Sequence, residues 1–349
     1  MKNKRKALGL FLSLGESFTD LKKTGQDRLM VDEYIAQFCR HFQKVYVFTY
    51  QREKITLPKN AYLVQPPIPL HRYIYALLLP VIHRSTISNL DILRCYQLSG
   101  VIPALIAKML FKKKVVFNLG YDYAAFAAIE GKPLQSLLFK LLQPIAIQLA
   151  DKIIVKTKTL HIAKGVYIPN GVNIKKFSPL KTKKTIDILF VGRLEPQKNL
   201  LPLIRAIFRM KPKPSLTTIG NGSLYKIISK HSTVHSKIPN SQLPNYYRQT
   251  KIFVLPSLKE GSPKVLLEAM STGLPCIASD IAEHREIITH NQNGILVTPT
   301  ATNIKAALEK LLTSVKLRTK IGRHARQTII SQFNQKKLIR HEMYHLQNP

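Results

Sequence analysis

Two glutamates in the second half of the chain have types and spacing suited to holding a sugar. Glu260 and Glu268 are eight residues apart. Glu260 follows the apolar run 252–256, which predicts a buried strand, and ligands of open α/β sheets bind beyond the carboxyl ends of strands. Glu268 lies about two turns into the next predicted helix. Because an ionised carboxylate only accepts hydrogen bonds, the pair is suited to binding sugar hydroxyl groups.

The helix that carries Glu268 is predicted to begin near a phosphate site. Ser262 is predicted to cap this helix, and Pro263 to be its first residue, where a missing N–H costs nothing. Gly273 is predicted to end it. The unpaired N–H groups of a first helical turn and the positive end of the helix dipole favour a phosphate. The segment therefore predicts a nucleotide-sugar pocket.

A second loop carries two cations. The run 186–191 is predicted to be a strand that ends at Gly192, where the missing side chain allows close backbone approach. Arg193 and Lys198 flank the loop, and they offer a guanidinium fork and a point charge to phosphate oxygens. A further predicted strand ends in a second glycine turn at Gly220.

These motifs resemble, in the same order, those of retaining glycosyltransferases of family four, which have the GT-B fold. Residues 260–270 resemble the family's E-x7-E element, and residues 190–199 resemble its F-V-G-R-L-x-x-x-K-(N/G) element. Residues 167–177 resemble the PNGV element at the junction of the family's two domains. The resemblance covers nearly all of the second half of the chain, and the first half only loosely.

The resemblance implies a role for each matched residue. It places the donor sugar at Glu260, the ribose hydroxyls at Glu268, the diphosphate at Arg193 and Lys198, and the base along residues 237–239. The implied nucleotide-binding residues are Gly192, Arg193, Lys198, Gly220, Lys237, Ile238, Pro239, Glu260, Gly261, Ser262, Pro263, Lys264, Val265 and Glu268. The implied catalytic residues are Glu260, Arg193 and Lys198, with Asp122 as a further candidate.

The first half departs from the family at one functional position. Many members have a His near the strand end at residue 119 that contacts the donor sugar, whereas this chain has Asn118 and Asp122 and no His between His83 and His161. Asp122 either orients the acceptor hydroxyl or caps the next helix. Because of this departure, a second function remains open: the chain could be a catalytically inactive GT-B protein that only binds nucleotide sugars.

Apolar strands that alternate with helices predict parallel sheets, and 349 residues favour two domains. Predicted strands in the first half are 7–13, 45–49, 91–97, 114–119 and 152–155. With the resemblance, we expect an α/β chain of two Rossmann-like domains whose parallel sheets face across an interdomain cleft. The expected parts are an acceptor-binding domain (1–165), a nucleotide-sugar-binding domain (166–330) and a C-terminal helix (331–349) that crosses back to the first domain.

The charge of the chain favours anionic partners. Lys and Arg number 54 against 19 Asp and Glu, a net charge of +35 that attracts polyanions. The apolar, aromatic segment from Arg72 to Arg84 has cations at both ends, which is typical of a helix in a membrane interface, although an ordinary core helix remains open. Nucleic-acid binding is a weaker alternative, because the lysines are dispersed and no nucleic-acid motif occurs.

No metal or other cofactor is expected, because the sequence lacks an Asp-x-Asp motif and two cations can take the place of a metal. Cys39, Cys95 and Cys276 are far apart, which favours free thiols in a reducing cytosol. The basic residues 1–6 precede a predicted first strand rather than forming a signal peptide. No run approaches the ~20 apolar residues that cross a bilayer. We therefore expect a cytoplasmic protein, peripheral on the inner face of the cytoplasmic membrane.

The predicted function is that of a retaining glycosyltransferase in cell-envelope polysaccharide or lipopolysaccharide biosynthesis. It would move a hexosyl unit from a GDP- or UDP-sugar to a saccharide or lipid-linked saccharide acceptor. GDP-mannose, UDP-glucose, UDP-galactose and UDP-N-acetylglucosamine all remain open as donors.

Overall fold

The chain forms two compact α/β units in the computed structural model, which describes residues 6–23 and 25–349. Residues 1–5, which belong to the basic start of the predicted first domain, lie outside the described residues. The first unit contains the described residues up to Lys156, together with Leu160–Ile168 and Ile339–Pro349. The second unit contains Thr157–Thr159 and Pro169–Leu338.

The first unit is built on a parallel sheet of seven strands in the order β3-β2-β1-β4-β5-β6-β7. Its strands are β1 (Ala7–Phe11), β2 (Lys44–Phe48), β3 (Ala61–Val64), β4 (Ile92–Cys95), β5 (Lys114–Leu119), β6 (Lys152–Val155) and β7 (Gly165–Tyr167). All five predicted strands form. The two that were not predicted, β3 and β7, are the edge strands, which are short and only partly buried.

The helices of the first unit cover the two faces of this sheet, as parallel strands with crossover helices require. They are Phe18–Lys23, Asp27–Leu29 continuing through the π-helical Met30–Ile35 into Ala36–His41, Arg72–Ile82, Arg84–Ser88, the 3₁₀ turn Leu98–Gly100, Val101–Phe111, Tyr123–Ile129 and Pro133–Leu149. The last helix of the chain, Gln335–Gln347, belongs to this unit from Ile339 onward.

A buried ion pair ties this last helix to the sheet of the first unit. Arg94 on β4 is 1% exposed, and its Nε donates to Oε1 of Glu342 at 2.6 Å. Lys156 Nζ lies 3.5 Å from the other carboxylate oxygen. Burial alone would raise the pKa of Glu342, but the two cations outweigh it and lower this pKa to about 2. Glu342 is therefore ionised inside the protein.

The second unit is built on a parallel sheet of six strands in the order β10-β9-β8-β11-β12-β13. Its strands are β8 (Ile186–Val191), β9 (Leu216–Ile219), β10 (Thr233–His235), β11 (Thr250–Leu255), β12 (Cys276–Ser279) and β13 (Ile295–Val297). The chain proceeds outward from β8 through β9 on one side, and through β11 on the other. The strand order thus reverses between β8 and β11, which makes this a topological switch point.

The second unit is closed by helices whose apolar faces cover this sheet. They are the 3₁₀ turn Pro196–Lys198, Leu200–Phe208, Tyr225–Ile228, Leu243–Gln249, Lys264–Ser271, Ala282–Arg285, Ala301–Thr313 and Val315–Gln332. Cys276 on β12 is a buried free thiol, as is Cys95 in the first unit. The predicted α/β class with two parallel sheets is confirmed.

Candidate active site

An ion pair joins two loops at the switch point of the second unit. Lys198 follows β8 and Glu260 follows β11, and Nζ of Lys198 lies 2.5 Å from Oε1 of Glu260. The two side chains are only 12% and 8% exposed. Ser257 Oγ donates to the same carboxylate oxygen at 2.6 Å. Two charges predicted from separate motifs are thus held together where open α/β sheets bind ligands.

The same two loops are joined again through Gln197. Arg193 is exposed, and its Nη2 donates to Oε1 of Gln197 at 3.2 Å. The side-chain amide of Gln197 donates to the carbonyl of Lys259 at 2.5 Å. The backbone carbonyl of Gln197 accepts from the backbone N–H of Leu258 at 2.9 Å. The guanidinium is therefore anchored beside the loop that carries Glu260.

Two glycines bring the ends of β8 and β9 into contact. A Cβ placed on Gly220 would overlap the carbonyl oxygen of Gly192, and Gly220 has φ +148. Gly192 itself has φ +155 and donates its N–H to the carbonyl of Ile219 at 2.9 Å. Both positions need a residue without a side chain. The two strand ends therefore leave backbone, without side chains, at the edge of the sheet where ligands of open α/β sheets bind.

The helix after Glu260 begins one residue later than predicted. Pro263 is the N-cap, and the helix runs over Lys264–Ser271 without a side-chain cap. The predicted capping by Ser262 is wrong, because its hydroxyl accepts from the backbone N–H of Asn170 at 3.1 Å. The Asn170 amide also donates to the Ser262 carbonyl at 2.8 Å, so Ser262 fixes the turn at Asn170. The helix start thus has no side-chain cap, and the N–H groups of Leu266 and Leu267 donate to the carbonyl of Pro263.

The predicted end of this helix is confirmed in detail. Gly273 has φ +73, and its N–H donates to the carbonyl of Met270 at 3.0 Å. The next N–H, from Leu274, reaches the carbonyl of Ala269 at 3.2 Å. These two bonds form a Schellman motif, which ends the helix a few residues before β12 begins.

Glu268 lies inside a polar cluster that the sequence did not predict. Tyr247 OH donates to its Oε2 at 3.1 Å, and the Asn240 amide lies 3.5 Å from its Oε1. Lys176 Nζ donates in turn to Oδ1 of Asn240. Burial raises the pKa of Glu268 to about 7, although Tyr247, Lys264, Lys176 and Asn240 oppose the shift. Glu268 therefore changes its charge near neutral pH.

A buried histidine extends the network behind Glu260. His284 Nδ1 lies 2.8 Å from the carbonyl of Ser279, which can only accept, so Nδ1 carries the proton. Ser279 Oγ donates to the carbonyl of Ser257, whose hydroxyl binds Glu260. Burial lowers the pKa of His284, and its Nε2 is buried without a hydrogen-bond partner among the residues that the structure describes.

The other predicted site residues lie at the surface or at a helix start. Lys237 and Pro239 are exposed, and Ile238 is half-buried against the core of the second unit. Gly261, Lys264 and Val265 are half-buried, and Pro263 is buried. In the first unit, Asp122 caps the helix Tyr123–Ile129, because its Oδ1 accepts from the N–H of Ala125 at 3.0 Å.

The sequence of the second unit matches a known family. Residues 172–328 match the family model described as Glycosyl transferases group 1. The chain is 31% identical over 194 residues to a UDP-Gal:alpha-D-GlcNAc-diphosphoundecaprenol alpha-1,3-galactosyltransferase of Escherichia coli, which covers 48% of this chain and 50% of that protein. It is also 31% identical over 150 residues to a lipopolysaccharide 1,6-galactosyltransferase of Salmonella typhimurium, which covers 39% and 42%. The chain spans about half the length of the curated relatives it matches.

The structure resembles a solved structure over nearly its whole length. The sucrose-phosphate synthase of Thermosynechococcus elongatus superposes with a TM-score of 0.82 and 17% sequence identity, over 98% of each chain. The chain has the GT-B fold. At this level of identity the likeness shows the fold alone, so the predicted fold class is confirmed. The predicted resemblance is confirmed for residues 172–328 as glycosyl transferases group 1.

Proposed function

We propose that this chain is a retaining glycosyltransferase of family four that transfers a hexosyl unit from a nucleoside-diphosphate sugar. The acceptor is a saccharide or lipid-linked saccharide in cell-envelope polysaccharide or lipopolysaccharide biosynthesis. The observation that carries the proposal is the ion pair of Lys198 with Glu260 at the switch point of the second unit, 2.5 Å long and largely buried. The two matched galactosyltransferases make UDP-galactose the first donor to test.

The proposed reaction breaks the bond between the anomeric carbon of the sugar and a diphosphate oxygen, and forms a bond to an acceptor hydroxyl oxygen on the same face of the sugar. The proton of the acceptor hydroxyl passes to the departing diphosphate oxygen. Negative charge grows on the departing diphosphate. Arg193 and Lys198 stabilise it together with the positive end of the dipole of helix Lys264–Ser271, since groups fixed in place before the reaction need no reorganisation. We propose that these groups suffice without a metal ion or another cofactor.

Glu260 is proposed to hold a hydroxyl of the donor sugar rather than to attack the anomeric carbon. Its Oε1 already accepts hydrogen bonds from Lys198 and Ser257. Such bonds lower the nucleophilicity of that oxygen, while they fix the orientation of the other oxygen. Glu268 is proposed to accept hydrogen bonds from the ribose hydroxyls in its ionised form. The predicted cytoplasmic location on the inner face of the membrane remains a proposal.

Turnover of nucleotide sugars by the purified chain tests this function. UDP-galactose, UDP-glucose, UDP-N-acetylglucosamine and GDP-mannose are each supplied, and release of the nucleoside diphosphate is followed. Arg193→Ala and Glu268→Ala should each lower kcat/KM at least about tenfold, the usual loss when a charged hydrogen bond to substrate is removed. The matched controls Arg323→Ala and Glu309→Ala remove charges from exposed helix surface and should have no effect.

The possible results separate the proposal from its alternatives. Binding of a nucleotide sugar without turnover would favour an inactive GT-B protein. Turnover that neither Arg193→Ala nor Glu268→Ala changes would reject the assigned site. If activity disappears on chelation and returns only with a divalent cation, the metal-independent part of the proposal is wrong.

A further inference from the structure

The helix Pro133–Leu149 of the first unit exposes a stripe of large apolar side chains. In Pro133–Leu149, the residues Leu134, Leu137, Leu141 and Ile145 follow a three- or four-residue spacing, which places them along one side of the helix. Leu134 is 84% exposed and Leu141 is 62% exposed. A surface helix of a globular protein normally turns polar residues outward. The composition of this stripe is therefore typical of a helix face that another surface covers.

A second helix of the same unit is apolar on both sides. In Arg72–Ile82, Tyr75 and Leu79 are fully buried in the core, whereas Leu77 and Val81 on the outer side are 56% and 58% exposed. The sequence left open whether this segment is a core helix or an interfacial helix. The structure shows a core face and, opposite to it, an apolar face that no other described residue covers.

The two exposed faces belong to one region. Helix Val101–Phe111 contacts both Arg72–Ile82 and Pro133–Leu149, and it adds the exposed side chains of Met109 and Leu110. We call the exposed apolar side chains of these three helices the apolar patch. Large exposed apolar side chains on three helices that are joined by contacts indicate an interaction site on a folded protein.

The three helices of the apolar patch carry charges of a single sign, and the two carboxylates that flank Pro133–Leu149, Glu130 and Asp151, are paired with Lys132 and Lys108. None of the three helices contains an Asp or a Glu. Exposed cations lie on them or at their ends, namely Arg72, Arg84, Lys112, Lys114, Lys132 and Lys140. Long basic side chains of this kind can lay their methylene stems on apolar surface while the charges reach phosphate groups.

We propose that the apolar patch docks onto an anionic phospholipid bilayer. The three helices would lie in the plane of the interface, with their leucines at the acyl boundary and their cations at the lipid phosphates. A bilayer fits better than a second copy of the chain, because each copy has a net charge of +35 and the three helices themselves contain cations but no Asp or Glu. In the described part of the chain, no helix is long and apolar enough to span a membrane. The docking does not require the proposed glycosyl transfer.

Flotation of the full chain with lipid vesicles tests the proposal. The protein should float with vesicles that contain phosphatidylglycerol and stay in solution with pure phosphatidylcholine, and high salt should weaken the binding. The triple variant Leu137→Gln, Leu141→Gln, Ile145→Gln should lower the partition coefficient at least about tenfold, because each leucine contributes apolar area to the bilayer. The charge variant Arg84→Gln, Lys114→Gln, Lys140→Gln should bind more weakly and lose its salt dependence.

Matched variants in the second unit serve as controls. Leu180→Gln, Phe208→Gln and Val315→Gln also replace three exposed apolar side chains, of 60%, 53% and 66% exposure, and should leave flotation unchanged. Lys226→Gln, Lys230→Gln and Lys316→Gln form the corresponding charge control. All positions are exposed, so circular dichroism should show that every variant folds.

Each other outcome overturns the proposal. A wild-type chain that stays in solution with anionic vesicles at low salt does so directly. Equal losses in the patch variants and their controls would mean that net charge and general hydrophobicity, rather than the apolar patch, drive the binding. If sedimentation shows a dimer that the leucine variant dissociates and flotation is absent, the patch is a contact between copies. Nucleotide binding should be unchanged in every variant, so this result does not depend on the proposed function.

Discussion

Acidification should weaken the binding of a nucleoside-diphosphate sugar, because Glu268 loses its charge as the pH falls. The proposed role of Glu268 is to accept hydrogen bonds from ribose hydroxyls, which an ionised carboxylate does best. Burial raises the pKa of this residue to about 7. Its charge thus changes in a range where the diphosphate of a nucleotide sugar, which has no secondary phosphate ionisation, stays fully charged.

The size of the effect follows from this pKa. With a pKa of about 7, roughly nine-tenths of Glu268 is ionised at about pH 8 and roughly 3% at about pH 5.5. If the ligand binds only the ionised form, Kd should rise about 30-fold over this range, which corresponds to about 2 kcal/mol. Isothermal titration calorimetry with UDP-galactose measures it directly.

Glu268→Gln is the decisive control for this prediction. The glutamine keeps the size and one acceptor oxygen of the side chain but cannot titrate, and the variant retains every other ionisable group. Its Kd should lie above the wild-type value at about pH 8 and should vary little with pH. A wild-type Kd that is independent of pH, or an equal pH dependence in the variant, would refute the reasoning.

The same pKa also makes a prediction about stability. The pKa of Glu268 is raised in the folded chain from 4.5 to about 7, so its contribution is fully present below about pH 4.5 and is lost as the pH rises through about 7. The loss of stability is at most about 3.5 kcal/mol, since one pKa unit corresponds to about 1.4 kcal/mol. Urea unfolding should therefore show that Glu268→Gln stabilises the chain at about pH 8 and has little effect at about pH 4.

Two further predictions concern the fold. Glu342→Gln leaves Arg94 buried without its counter-ion and should destabilise the chain by about 3–5 kcal/mol in urea unfolding above pH 4.5, an effect that fades as the pH falls towards about 2. In the control Glu309→Gln, which replaces a half-exposed residue, the loss should be less than about 0.5 kcal/mol, and equal losses in the two variants would contradict this account. Gly220→Ala should abolish UDP binding and destabilise the chain by more than about 3 kcal/mol, because the new methyl group meets backbone. Gly131 also has a positive φ, of +71, but lies in open space, so Gly131→Ala should cost about 1 kcal/mol. Unchanged UDP binding by Gly220→Ala would show that the glycine contact is not part of the site.

Much of the sheet could be predicted because buried parallel strands are continuous apolar runs. The bounds of β5 and β6 agree with the predicted ones to the residue. The strands that were missed, β3, β7 and β10, are short edge strands that are only partly buried, so their sequences lack such a run. The capping prediction at Ser262 failed because a distant residue, Asn170, competes for its hydroxyl.

Some residues of the candidate site could be predicted from local sequence motifs, and others could not. Lys198 and Glu260 each lie in a local motif, and the order of the strands then brings them together. The partners of Glu268, by contrast, come from three separate places in the chain, at Lys176, Asn240 and Tyr247. No local pattern marks them, because they become neighbours only when the sheet and its helices have packed. The charge state of Glu268 could therefore be inferred only from the structure.

The central claim is that Arg193 and Lys198 bind the diphosphate of a nucleotide sugar in the second unit. Calorimetric titration with UDP and with uridine, at fixed pH and salt, tests it most directly. Arg193→Ala and Lys198→Ala should each weaken UDP binding by roughly ten- to a hundredfold and leave uridine binding unchanged, because only the phosphates interact with these cations. Equal losses for both ligands, or no loss for UDP, would contradict the account.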